Sequence, residues 1–136
     1  MNPKRDPDGL SIGDVSRRTG VNVETIRYYE RMGLMPRPQR TEGGRRSFGP
    51  DGMRTLAFIK RARELGFCLR DIRELLSIRH TEQPCTDAKA IASRHLQGMR
   101  LKMRSLLELE RTLADAVDRC PGQSAADCTI LALLEK

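Results

Sequence analysis

The longest stretch compatible with one unbroken helix runs from Thr86 to Arg119, with no proline and a single glycine, Gly98. Apolar residues recur there at Leu96, Met99, Met103, Leu106, Leu113 and Val117, and Glu110 occupies the one position that breaks the alternation of three and four. Leu109 sits beside it. This is a coiled-coil a/d seam over about three heptads, and Pro121-Gly122 ends it. Such a helix buries its stripe on something outside itself. Cys85 precedes it, Cys120 closes it and Cys128 follows shortly after. A continuous helix would hold Cys85 and Cys120 roughly 50 Å apart, too far to share a ligand within one chain. An antiparallel partner helix would instead bring the partner's Cys120 and the partner's Cys128 beside Cys85. The spacing therefore predicts a homodimer with two equivalent three-cysteine sites, one at each end of the seam. The plainer alternative is an ordinary dimer interface whose cysteines are inert small hydrophobes.

At 136 residues the chain is one domain, or a small domain with an oligomerisation helix. Only 4% of it is aromatic, too little for a large core, which again favours helices that bury a face on a partner. The formal net charge is +7, and its distribution matters more than its size. Residues 1–79 hold 17 Lys and Arg against 10 Asp and Glu, whereas residues 80–136 hold 8 against 8. A basic half joined to a neutral coiled-coil half points to an anionic partner, most simply nucleic acid. A solvated basic face is the alternative.

The start MNPKRDPDG lacks a signal-peptide core and no apolar run reaches membrane length, so a cytoplasmic protein without a membrane partner is expected. Four cysteines in a reducing compartment suggest thiolate chemistry or metal rather than structural disulfides. Residues 1–9 are expected to be a disordered leader.

The first helix is expected to start at Leu10 to Ser11, with Ser11 as N-cap, Asp14 three residues on, and Leu10 with Val15 as a hydrophobic staple. It runs to about Arg18, where Thr19-Gly20 turns the chain. Asn22 caps a second helix from Val23 to about Met32, and Gly33 ends it. Two short helices joined by a glycine-containing turn make a helix-turn-helix. Thr25, Arg27, Tyr28, Tyr29 and Arg31 on the second can meet base edges and phosphates; Ser16, Arg17 and Arg18 of the first join the candidate DNA contacts. Pro36, Pro38 and Gly43-Gly44 punctuate a loop before Arg45-Arg46-Ser47-Phe48. That run reads as a wing whose Arg45 and Arg46 reach the flanking backbone. A third helix is expected over about Asp51–Leu65, burying Leu56, Ile59 and Ala62. A fourth, over about Leu69–Ile78, buries Ile72, Leu75 and Leu76.

The runs SIGDVSRRTGVNVETIRYYERMGLMPRPQRTEGGRRSF and FIKRARELGFCLRDIRELLSI, followed by the cysteine-flanked helix, resemble the MerR family of bacterial transcriptional regulators from Leu10 to Leu134. The resemblance implies a mainly α fold: a winged helix-turn-helix DNA-binding domain over 10–79, a linker and antiparallel coiled-coil dimerisation helix over 80–119, and a metal-binding loop with a short helix over 120–136. It also implies a homodimer on double-stranded promoter DNA that acts on RNA polymerase indirectly, by distorting the duplex when an effector binds. By position, Arg27, Tyr28 and Tyr29 match the family's recognition-helix contacts and Arg46 its wing arginine. Arg45 stands where an aromatic residue is common, and Cys68 where a serine usually caps the fourth helix.

In the family's copper-sensing branch a serine precedes the long helix. In the branch sensing divalent ions a cysteine does, and Cys85 matches it, with Cys120 and Cys128 as its companions. Three soft thiolates suit Hg2+, Pb2+, Cd2+ or Zn2+ and suit magnesium or calcium poorly. The seven-residue loop PGQSAAD is nearer the copper type. Zinc wants four ligands, so Asp127, His80, Asp87 or water would have to complete its shell. The alternatives are a thiol-based redox regulator using Cys120 and Cys128, and a copper(I) sensor. No catalytic constellation is present, and an enzyme is not expected.

Overall fold

The structure, a computed structural model, describes residues 9–36, 39–40 and 46–136, and divides into two compact units, residues 1–88 and 89–136. The wing's Arg45 and the expected leader, up to residue 8, lie outside the described residues.

In the first unit, α1 spans Ile12–Thr19 and α2 spans Val23–Arg31. Ser11 caps α1 with a full capping box: its hydroxyl accepts from the Asp14 amide at 3.1 Å while the Asp14 carboxylate faces the Ser11 amide at 3.4 Å. These bonds satisfy amides that a helix start leaves bare. Gly20 closes α1 at φ 74°, a left-handed conformation that a side chain would strain. Lys60 then donates from its ammonium to the Thr19 carbonyl at 2.6 Å, covering the negative end of α1. The Asn22 side chain accepts from the Glu24 amide at 2.8 Å, so α2 begins where expected. It stops one residue early, Met32 being its C-cap.

Two short strands follow, β1 (Gln39–Arg40) and β2 (Arg46–Ser47), paired antiparallel with Gln39 opposite Ser47 and Arg40 opposite Arg46. Leu10 and Phe48 exchange both backbone hydrogen bonds, at 2.9 and 2.8 Å, tying the wing's exit to the residue before α1. Helix α3 runs Pro50–Glu64, starting one residue before the expected Asp51 because proline fits the first helical position, where its missing N–H costs nothing. Helix α4 spans Leu69–Ile78. Cys68 stands at its N-cap without a capping hydrogen bond and is exposed.

The core joins all four helices: Val15, Ile26, Leu56, Ile59 and Ile72 are fully buried, with Phe48, Leu34 and Met35 nearly so. Burying each such side chain contributes about 1.5–3 kcal/mol. Leu75 and Leu76 are half-buried rather than buried, since α4 turns only its Ile72 side fully inward. Arg73 donates to the Met32 carbonyl, and the Arg79 guanidinium lies 5.4 Å from the Phe58 ring centroid.

Helix α5 is continuous over Thr86–Arg119, 34 residues, a length of about 50 Å. Gly122 follows at φ 71°, then a single 3-10 turn at Ala125–Asp127 and a last helix α6 at Thr129–Leu134. The Thr129 hydroxyl donates to the Ala116 carbonyl, and Ala116 is 7% exposed, so the second unit is a hairpin with α6 returned onto the last turns of α5. Among the described residues no helix is long and apolar enough to cross a membrane.

Candidate functional site

The return of α6 brings two of the three expected thiols together. Cys120 sits just past the end of α5 and Cys128 just before α6, both half-buried and unoxidised. The Cys120 thiol donates to the Cys128 sulfur at 3.7 Å. Two thiolates on one ion at the zinc–sulfur distance, with a tetrahedral angle, would have sulfurs roughly 3.8 Å apart. The pair is thus already spaced for one soft ion, and the residues fit such a group.

The electrostatics favour it as well. The backbone amide of Leu131, in the first turn of α6, holds the Cys128 thiol below the ordinary thiol range; burial opposes this, and the Cys120 thiol and the Ile130 amide assist. No formal capping bond closes on the sulfur, so these amides act by proximity and direction. Cys85 lies exposed before the first residue of α5, at the other end of the helix from the pair. Among the described residues, no group of three or more His, Cys, Asp or Glu side chains gathers within the chain. Of the residues considered for a fourth donor, His80, Asp87 and Asp127 are exposed. Sequence reasoning missed Thr129, which anchors the loop; a threonine directly after a cysteine carries no signal for a bond thirteen residues back.

The other candidate surface lies on α1 and α2. Arg17 and Arg18 are exposed at the last turn of α1, and Ser16 is half-buried. Arg17 is paired with Asp14, whose carboxyl is held below its usual range by the Ser11 hydroxyl first and the Arg17 guanidinium second. On α2, Arg27 reaches Glu24 at 3.1 Å; exposed pairs of this kind are worth little, so Arg27 can exchange its partner for a phosphate. Thr25 is half-buried, while the Tyr28 ring is 40% exposed. Tyr29 is placed otherwise than Tyr28. At 8% exposure it belongs to the core, 6.2 Å between ring centroids from Tyr28, because it follows Ile26 by one helical turn on the buried face. Arg46 lies on β2, its side chain outside the described residues like all of Arg45.

Four packed helices, a two-stranded wing and a long trailing helix define a winged helix-turn-helix regulator of the DNA-binding kind. Residues 10–78 match the MerR HTH family regulatory proteins, and residues 53–116 match the MerR DNA-binding family. The chain belongs to the MerR family. It is 37% identical over 123 residues to the heavy metal-dependent transcription regulator 2 of Rhizobium meliloti, covering 90% of this chain and 84% of that one. It is 40% identical over 127 residues to the mercuric resistance operon regulatory protein of Bacillus cereus, with 92% and 96% covered. Among solved structures, PbrR691 of Ralstonia metallidurans CH34 in complex with lead(II) superposes with a TM-score of 0.79 at 35% identity, covering 92% and 98%. Members of the family are DNA-binding regulators, not enzymes.

Proposed function

We propose that this chain is a metal-responsive transcriptional regulator that binds double-stranded promoter DNA as a homodimer. Its effector is a soft divalent ion, Hg2+, Pb2+, Cd2+ or Zn2+, held by Cys85 of one protomer with the partner's Cys120 and the partner's Cys128. The observation that carries this reading is the sulfur pair at 3.7 Å, two donors of a soft-metal set waiting for a third. The mercury-resistance and lead(II)-bound relatives support the class of ion. Thiolates match soft ions, and their number exceeds what a linear copper(I) site needs.

The work divides by segment: residues 10–79 bind DNA, 80–119 dimerise, and 120–136 close over the ion. Ser16, Arg17, Arg18, Thr25, Arg27, Tyr28, Arg45 and Arg46 supply DNA contacts, and Tyr29 supports them from below. RNA polymerase is reached indirectly, through the shape of the promoter, in the cytoplasm. When bound, the ion joins the end of one chain to the linker of the other. Activation requires only that the activating arrangement of the dimer binds metal more tightly than the repressing one.

Ultraviolet thiolate-to-metal charge-transfer bands, titrated with each ion in turn, test the site. Two equivalents per dimer are expected, and half that number from dimers mixed from Cys85→Ser and Cys120→Ser chains, which keep one intact site. Mixed dimers without any site would refute the cross-protomer arrangement. The same sulfur spacing admits a second reading, a Cys120–Cys128 disulfide switch. Cys85→Ser leaves sensing intact in that case and abolishes it in the first.

A further inference from the structure

Helix α4 ends on an arginine that holds two partners at once. Arg79 is the C-cap of α4, still helical, with its amide bonded to the Leu75 carbonyl at 3.1 Å. Its guanidinium lies 5.4 Å from the Phe58 ring centroid and donates to the Thr55 hydroxyl at 3.4 Å. Thr55 and Phe58 are three positions apart and so share one face of α3. All three residues are half-buried, and excluding water strengthens the attraction between a cation and a ring. Arginine suits the place: a planar guanidinium can lie over the ring and still donate along its edge, whereas a lysine ammonium is a point charge. The chain then turns at once, the Ile78 carbonyl accepting from the Thr81 amide at 3.0 Å and the Thr81 hydroxyl at 2.9 Å. Residues 80–85 are exposed.

Cys85 belongs to the first unit, six residues past Arg79, whereas Cys120 and Cys128 belong to the second. The inference rests on the shared ion site proposed above: an ion held there pulls on Cys85, and the pull enters the first unit through Arg79. The last turn of a short helix frays at little cost, and α4 has only 10 residues. An unfastened end would unwind and absorb the pull. Fastened to Thr55 and Phe58, it hands the pull to α3. That helix starts two residues after Phe48, which bonds to Leu10, and its Lys60 holds the end of α1. A displacement of α3 therefore reaches the exit of the wing and α1 through bonds already made.

We propose that Arg79 is the positioning residue that carries the signal of the bound ion from the linker into α3. The test is hydrogen exchange read by mass spectrometry on the full-length, reduced protein, with and without cadmium chloride. In the wild type, cadmium should protect the linker, residues 80–85, and raise the protection of the α3 amides by about fivefold or more. In Arg79→Ala the linker should respond as before while the gain in α3 disappears. Arg79→Lys keeps a cation over the ring without the bond to Thr55 and should recover part of the gain. An equal gain in Arg79→Ala and the wild type would overturn the proposal. So would an α3 that loses protection in Arg79→Ala before any cadmium is added, the mark of a plain structural brace, or a wild-type linker that responds without α3. A wild-type linker that cadmium leaves unchanged removes the ion site itself and the proposal with it, an outcome distinct from a linker that responds alone.

Discussion

The sulfur of Cys120 lies 3.7 Å from that of Cys128, although seven residues of loop separate them, because Thr129 is tied back to the Ala116 carbonyl. Removing either thiol takes away one of the pair's two donors. Cys120→Ser or Cys128→Ser should lower affinity for cadmium or lead by about a hundredfold or more, measured by competition with a chromophoric chelator. Thr129→Val keeps both thiols and loses the anchor. It should give a smaller loss, about tenfold, since the loop must then be ordered by the ion.

Protonation sets the lower pH limit of the same site. The Cys128 thiolate is favoured in the folded chain, so its contribution to stability is complete above the ordinary thiol pKa and is lost as pH falls through the lowered folded value. Alkylation of Cys128 by iodoacetamide, followed by peptide mass mapping across pH, should show a midpoint below the ordinary thiol range. That midpoint should move up in Cys120→Ala, which removes one of the assisting groups.

On the DNA face, Arg27→Ala should weaken promoter binding and reduce the salt slope of log K by about one, read by fluorescence anisotropy at several ionic strengths. Tyr29 separates the two roles of α2. Tyr29→Phe should keep the fold, whereas Tyr29→Ala should cost about 3 kcal/mol of stability in denaturant unfolding before any DNA is present.

The capping box makes a fourth measurable claim. Ser11→Ala removes the hydroxyl that receives the Asp14 amide and should destabilise the first unit by about 1 kcal/mol. Asp14 is held ionised by the same group. Its share of stability is present above the ordinary carboxyl pKa and disappears as pH falls through the lowered one.

The seam should be sensitive near its middle. Met103→Lys introduces a charge where two copies meet and should convert the chain to monomer in sedimentation velocity at micromolar concentration, with α5 still helical by circular dichroism.

Where a local rule decides the structure, the residues were legible. Ser11 with Asp14, Asn22 and Pro121-Gly122 punctuate the chain, and α4 and α5 fall within the expected bounds. Periodicity named the core residues Leu56, Ile59 and Ile72. Motif matching does not tell which of two adjacent tyrosines faces inward; the spacing of Tyr29 from Ile26 does. The Lys60 cap on α1 joins residues 41 apart and has no local signature. Of the thiol set, spacing implied the Cys120–Cys128 pairing, but its closeness depends on the Thr129 anchor, which only the folded chain reveals.

The Lys60 and Arg73 bonds have a consequence for how a signal would travel. Each runs from a later helix to the carbonyl end of an earlier one, Lys60 to Thr19 after α1 and Arg73 to Met32 after α2. The first two helices are therefore tied at their ends to the scaffold behind them. They resemble the jaws of a fixed-gauge calliper more than fingers that can flex. Any torque entering this unit turns all four helices together, and the duplex would register it as a change in the angle of the whole grip.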